Sequence, residues 1–172
     1  MQKIELCLPQ VEFAEMFLSW RQEPTTLKFN PIKSLTLDAL KEQLGKCKHD
    51  LSNLEENCQY RWFVKVDAEF VGQVALNGFN QMMGTVEIGY TITEKHHGLG
   101  LATTAVRALL DRIFKETPIR RVVAYVHQKN IASCRVLEKL GFTQEGILRE
   151  HYIVNGLPVN EVVFGLLRSE WS

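Results

Sequence analysis

No stretch of this sequence approaches the roughly 20 consecutive apolar residues that a membrane-spanning helix needs. Its first ten residues, MQKIELCLPQ, lack the apolar core and small-residue cleavage site of a signal peptide. Neither sign of charge is in excess: 20 Lys and Arg offset 20 Asp and Glu. No global positive field therefore exists to hold nucleic acid or an anionic membrane non-specifically. Cys7, Cys47, Cys58 and Cys134 are scattered, with no CxxC pair, so reduced structural thiols are expected rather than a disulfide framework. Cys47, His49 and Cys58 fall near one another, but the spacing fits no zinc template and a fourth ligand is missing, so no metal is expected. Repeats, low-complexity tracts and linkers are lacking too. The expectation is one cytoplasmic, soluble domain over 1–172, its 45% apolar side chains sufficient for a substantial core.

The patterning that is present alternates between two periods. IELCL reads as a half-buried strand ended by Pro9. Val11, Phe13, Ala14, Phe17 and Leu18 recur at helical spacing up to Trp20, and Leu37, Leu40 and Leu44 do so after Thr36. Two amphipathic helices are thus expected, with TTLKFNPIKS between them as a loop. RWFVKV and EFVGQVAL, separated by Asp67-Ala68, predict a hairpin, and TVEIGYTI a further strand after NQMMG. Leu101, Ala102, Ala105, Leu109 and Ile113 mark one face of a helix running to about Glu116, with Pro118 at its exit. RRVVAYVH reads as a nearly continuous buried strand, followed by a helix over about Ala132 to Leu140 that Gly141 caps. GILREHYIV and PVNEVVFGLL flank Asn155-Gly156, a strong hairpin signal. A meander followed by strand, helix, strand, helix and hairpin indicates a mixed α/β sheet.

The most informative stretch is VEIGYTITEKHHGLGLATTAVRALL, where a strand enters a glycine-bearing loop that opens directly into a long helix. A helix start offers unpaired N–H groups and partial positive charge, and Gly98 and Gly100 let the backbone approach a phosphate closely. Glycines at helix starts also serve purely steric ends. A dinucleotide is disfavoured, because Thr103 stands where a Rossmann loop has its third glycine or alanine, and RRVVAYVH ends without an acid for a ribose.

KHHGLGLATTAV resembles the pyrophosphate loop of the GNAT acetyltransferase superfamily, Gln/Arg-x-x-Gly-x-Gly/Ala, with Lys95 in the Gln/Arg place. The run NIASCRVLEKLGFTQEGILREHYIVNGLPVNEVVFGLL resembles the branch of the RimJ/RimL ribosomal-protein N-acetyltransferases. The resemblance implies a mostly antiparallel sheet of about seven strands flanked by about four helices, with splayed fourth and fifth strands, here TVEIGYTI and RRVVAYVH. It implies acetyl-CoA as acyl-donor substrate, its pantetheine beside Tyr90, Thr91 and Ile92. Its pyrophosphate would lie on the amides of His97, Gly98, Leu99, Gly100, Leu101, Ala102 and Thr103. Asn130 is implied to reach the pantetheine arm, although it also reads as a helix N-cap.

Many relatives carry a tyrosine general acid where this chain has Leu137. Ser133, near the implied thioester sulfur, is then the candidate hydrogen-bond donor to the leaving thiolate. Amine attack needs a neutral nitrogen, and Glu87 is the candidate base, with Glu150 and Tyr152 in reserve. A solvent-facing strand glutamate is the plain alternative for Glu87. His96 and His97 are expected as exposed loop residues or phosphate neighbours rather than catalysts. Trp20, Phe29, Trp62 and Phe79 either shape an acceptor pocket or belong to the core. The implied activity is acetyl transfer to a primary amine, a protein N-terminus, polyamine or other small amine, by direct attack without a metal. A non-catalytic acyl-CoA sensor on the same fold and a nucleotide-binding domain are the competing readings, and a homodimer is left open.

Overall fold

The computed structural model describes residues 3–31 and 36–172. Among these, the strands β1 (Ile4–Cys7), β2 (Tyr60–Val66), β3 (Glu69–Asn80), β4 (Thr85–Ile92), β5 (Arg121–His127), β6 (Thr143–Val154) and β7 (Leu157–Leu167) form a seven-stranded sheet in the order β1-β2-β3-β4-β5-β7-β6. Neighbours are antiparallel except β4 and β5, which run parallel. Antiparallel neighbours can be joined by tight turns, and Asn155-Gly156 makes one, with φ of 50° and 80° as a type I′ turn requires. A parallel pair needs a crossover, and the helix between β4 and β5 supplies it.

The helices are α1 (Ala14–Arg21), α2 (Pro24–Phe29), α3 (Leu37–Lys46), α4 (Leu101–Glu116) and α5 (Ile131–Lys139). On one face of the sheet, α4 buries Leu101, Ala105, Val106, Leu109, Leu110, Ile113 and Phe114, a stripe at steps of one, three and four residues. These pack with Val86, Ile88 and Ile92 of β4 and with Val122, Ala124 and Val126 of β5. Each buried Leu or Ile contributes about 1.5–3 kcal/mol. The end of α4 is closed by Arg168, whose guanidinium donates to the carbonyls of Phe114, Thr117 and Ile119. On the opposite face, α1 and α3 bury Ala14, Phe17, Trp20, Leu40 and Leu44 against Phe63 of β2.

Three expectations need correction. Residues 25–29 of the expected loop, with Pro24 before them, form the short α2, while its residues 32–34 lie outside the described residues. Six residues are too few for a periodic signal, and α2 rests on Pro24 at its first turn and on a distant carboxylate, Glu94, which accepts from Thr25 N at 2.6 Å. The helix expected from Val11 opens instead as a 3-10 turn over Val11–Phe13 before α1. Lastly, β5 is not buried throughout: Val122, Ala124 and Val126 are covered, but Tyr125 is 40% exposed, because the α1–α3 layer stops short of it.

Candidate active site

The parallel pairing of β4 with β5 is brief. It covers Thr85↔Arg121, Val86↔Val122 and Glu87↔Val123 and then ceases. β4 stays paired with β3 as far as Ile92, and β5 with β7 as far as His127. From Ile88 onward the two strands diverge, so the edge of β4 at Gly89, Tyr90 and Thr91 faces an opening. Unpaired strand edges accept an extended ligand as they would another strand.

At the end of β4 the chain turns through Glu94–His96 into Gly98 and Gly100, with φ of 77° and 75°. A Cβ built on either glycine meets no atom within 4 Å. Their left-handed conformation therefore leaves open space above the backbone. The amides of Gly98 through Thr103 find no backbone partner among the described residues, and the first turn's bonding begins with Thr104 N to Gly100 O at 3.1 Å. The first turn of α4 carries no acid and no side-chain cap, so its partial positive charge is uncompensated. His97 is the exception among the seven expected amide donors: its N–H is spent on Glu94 O at 3.1 Å.

The two histidines brace this loop. His96 Nδ1 lies 2.7 Å from Thr93 Oγ1 and its ring is half-buried, whereas His97 is exposed. His97 donates from Nε2 to Ile92 O at 2.8 Å. Lys95 pairs with Glu69 at 2.8 Å. The turn is further fastened to the α1–α2 junction, where Glu23 Oε2 accepts from Glu94 N at 3.0 Å.

Across the opening stands the start of α5. Asn130 is its N-cap, accepting from Ser133 N at 3.2 Å. Tyr90 Oη lies 2.7 Å from the Ser133 hydroxyl, where either oxygen can donate, and 3.1 Å from the Ser133 carbonyl oxygen, so its single proton serves one of the two. Burial pushes the Tyr90 phenol above its ordinary range, so it keeps its proton. A tyrosine hydroxyl thus reaches α5 from β4, while Leu137, where the tyrosine was missed, is wholly buried in the core. Sequence spacing along α5 offers no sign of this contact, since Tyr90 sits 43 residues earlier.

Glu87 points the other way. Strand alternation puts Glu87, Gly89 and Thr91 on the face opposite Tyr90, above the open half of the sheet. The Glu87 carboxyl is raised above its usual range by burial, then by the charge of Glu161, with His151 opposing. Glu161 itself lies 2.6 Å from His151 Nδ1. Neither Glu161 nor His151 was singled out from sequence; they reach Glu87 across β5, from β7 and β6. Of the reserves, Glu150 is exposed in a β6 bulge with φ of 50°, and Tyr152 is 40% exposed. Trp20 and Trp62 are core residues, Phe79 packs against the core's edge, and Phe29 meets the His127 ring edge-on at 5.3 Å.

The arrangement offers an anion cradle of amides, an unpaired strand edge leading from it, a hydroxyl pair on one side and a carboxyl of raised affinity for protons on the other. Comparison with known proteins identifies the family. The profile described as an acetyltransferase (GNAT) domain matches residues 5–143. The uncharacterized N-acetyltransferase p20 of Bacillus licheniformis is 28% identical over 99% of this chain and 96% of its own length. The spermidine N(1)-acetyltransferase of Vibrio cholerae serotype O1 is 31% identical over 70% of this chain and 67% of its own. A crystal structure of a probable acetyltransferase superposes with a TM-score of 0.85 at 26% identity, covering 98% of this chain and 94% of the other. Among the described residues no group of His, Cys, Asp and Glu is placed to hold a metal, and no helix is long and apolar enough to cross a membrane. The chain belongs to the GNAT acetyltransferase family and is an acetyl-CoA-dependent N-acetyltransferase.

Proposed function

We propose that acetyl transfer occurs where β4 and β5 part, to a primary amine of a peptide N-terminus or small molecule as in the RimJ/RimL-like branch, by direct attack in a ternary complex. The observation that carries this is the opening itself: an unpaired β4 edge running into six unpartnered amides, Gly98 through Thr103. The pyrophosphate of acetyl-CoA rests on those amides, and its pantetheine arm follows Gly89, Tyr90, Thr91 and Ile92, with Asn130 opposite. The amine arrives on the Glu87 face. Glu87 takes a proton from it as the nitrogen–carbon bond forms, and a β4 amide stabilises the charge that builds on the carbonyl oxygen. As the carbon–sulfur bond breaks, Ser133 donates its hydrogen bond to the departing thiolate. With the single Tyr90 proton given to Ser133 Oγ rather than to the Ser133 carbonyl, the serine proton is free to point into the opening.

The test is acetyl-CoA consumption over a panel of amines and N-terminal peptides, run beside Glu87→Gln and Ser133→Ala. Turnover that both substitutions slow, with acetyl-CoA affinity retained, is expected. Wild-type rates in both across pH overturn the assignment of the acid and base.

A further inference from the structure

Two arginines lie buried beneath the α1–α2 layer with no counter-charge among the described residues. Arg21, the last residue of α1, is 6% exposed, and Arg61 of β2 is 7% exposed. Arg21 donates from Nη2 to Asn30 O at 2.9 Å, and Arg61 donates from Nη1 to Gln73 Oε1. Arg61 also lies over the Phe17 ring, 4.9 Å from its centroid. Among the described residues the Nε of each is buried without a hydrogen-bond partner. Neither guanidinium forms an ion pair with a carboxylate among the described residues. Residues 1–2 and 32–35 contain no Asp or Glu.

Buried guanidinium groups are normally paired, because an unpaired buried charge strongly disfavours the fold. Here the two reinforce each other's cost: Arg21 is pushed down to about 10 by burial first and by the charge of Arg61 next, with the Tyr152 hydroxyl opposing. Arg61 is lowered by burial, with the Cys47 thiol opposing. Both still carry their charge at neutral pH.

The pair sits on the acceptor side. Arg61 pairs with Ala75, which pairs with Gly89, so it stands two strands, about 10 Å, from the point where β4 leaves β5. Arg61 and Glu87 share a face of the sheet, since Asn77 opposite Glu87 and Ala75 opposite Gly89 both alternate onto it. The cradle for the acetyl-CoA phosphates lies beyond the far end of β4, and its arm follows the edge of β4 that faces away from β2. We propose that Arg21 and Arg61 form an anion subsite of the acceptor pocket, so that the preferred acceptor is an amine that also bears a carboxylate or phosphate group. This rests on the acceptor approaching over the Glu87 face. Two guanidinium forks bind either anion in a bidentate manner and repel a polyamine from the same place.

The experiment compares kcat/KM for amines of similar length: butylamine, 4-aminobutyrate, phosphoethanolamine and putrescine. An anionic amine exceeds butylamine about tenfold or more, chiefly through KM, and whichever of 4-aminobutyrate and phosphoethanolamine leads identifies carboxylate or phosphate as the recognised group. Arg21→Met and Arg61→Met, checked by melting and by acetyl-CoA affinity, each lower that ratio by a similar factor. Because Arg61 packs on Phe17 and its loss can unfold the protein, wild type carries an independent arm in which propionate and inorganic phosphate compete with the anionic amine. Equal or better use of butylamine or putrescine by wild type, or no competition from either anion, overturns the subsite and leaves the acetyl transfer standing. Absence of turnover with every amine overturns the parent proposal along with it.

Discussion

Adding one methyl group at Gly98 separates the conformational role of that glycine from its role in admitting a phosphate. Its φ of 77° costs an L-residue about 1–2 kcal/mol. A new Cβ meets nothing within 4 Å, so no protein clash adds to that figure. For a domain of this size, 1 kcal/mol lowers Tm by about 2–4 °C, so Gly98→Ala is expected to melt about 2–8 °C lower. Gly156 provides the control, because its φ is 80° and its Cβ position is equally empty, yet it lies in the β6–β7 turn. Gly156→Ala is expected to lose the same stability and to bind acetyl-CoA normally. In Gly98→Ala the methyl occupies the space above the amides and displaces the pyrophosphate. Loss of one or more charge-assisted hydrogen bonds, each about 1.5–3 kcal/mol, weakens acetyl-CoA binding about 10- to 150-fold. Calorimetric titration and thermal melting on the two variants read both effects. Equal melting losses with unchanged acetyl-CoA affinity in Gly98→Ala would falsify the assignment of the loop.

Other substitutions give equally definite outcomes. Glu87→Gln is expected to lower kcat about 10²–10⁴-fold and to abolish the acidic limb of the pH–rate profile, which in wild type lies above the ordinary carboxylate range because the carboxyl is raised. Stability moves the opposite way. A raised carboxyl favours the fold below its unfolded pKa and loses that contribution as pH rises through the folded value, so Glu87→Gln melts no lower than wild type at pH 7. Ser133→Ala is expected to slow catalysis, and Tyr90→Phe to slow it less, with the double variant no worse than Ser133→Ala; additive effects on rate would break the link between the hydroxyls. Arg168→Met removes three bonds to carbonyls closing α4 and is expected to cost about 2–3 kcal/mol, measured as a lower Tm.

Local signals made much of the fold legible. Period-two runs located the strands, the Leu101–Ile113 stripe located α4, and Asn155-Gly156 located the last hairpin. Helix α2 escaped because its N-terminus is capped from Glu94, 69 residues away, rather than by its own side chains. The site divides in the same manner. Gly98 and Gly100 announce themselves in sequence, because left-handed φ beside a helix start is a local requirement. The Tyr90–Ser133 contact and the Glu87, Glu161 and His151 grouping are products of sheet order, since β7 inserts between β5 and β6. No spacing rule anticipates which distant strands become neighbours. The same limit hid Arg21 and Arg61, which no sequence pattern singles out and which the fold buries.

The alternation of β4 has a chemical consequence. A carboxylate held against a hydroxyl would be occupied by that hydrogen bond rather than open to an incoming amine. One strand's pleat keeps the two apart in the proposed assignment, sending Glu87 to one side of the sheet and Tyr90, with Ser133 behind it, to the other. The sheet acts as a partition with a slot in it. In the proposed reaction the proton leaves on one side, the thiolate is received on the other, and the acyl carbon in the slot is the shared point. The spent amide and the spent thiol are then already on separate sides, and neither product needs to pass the other to depart.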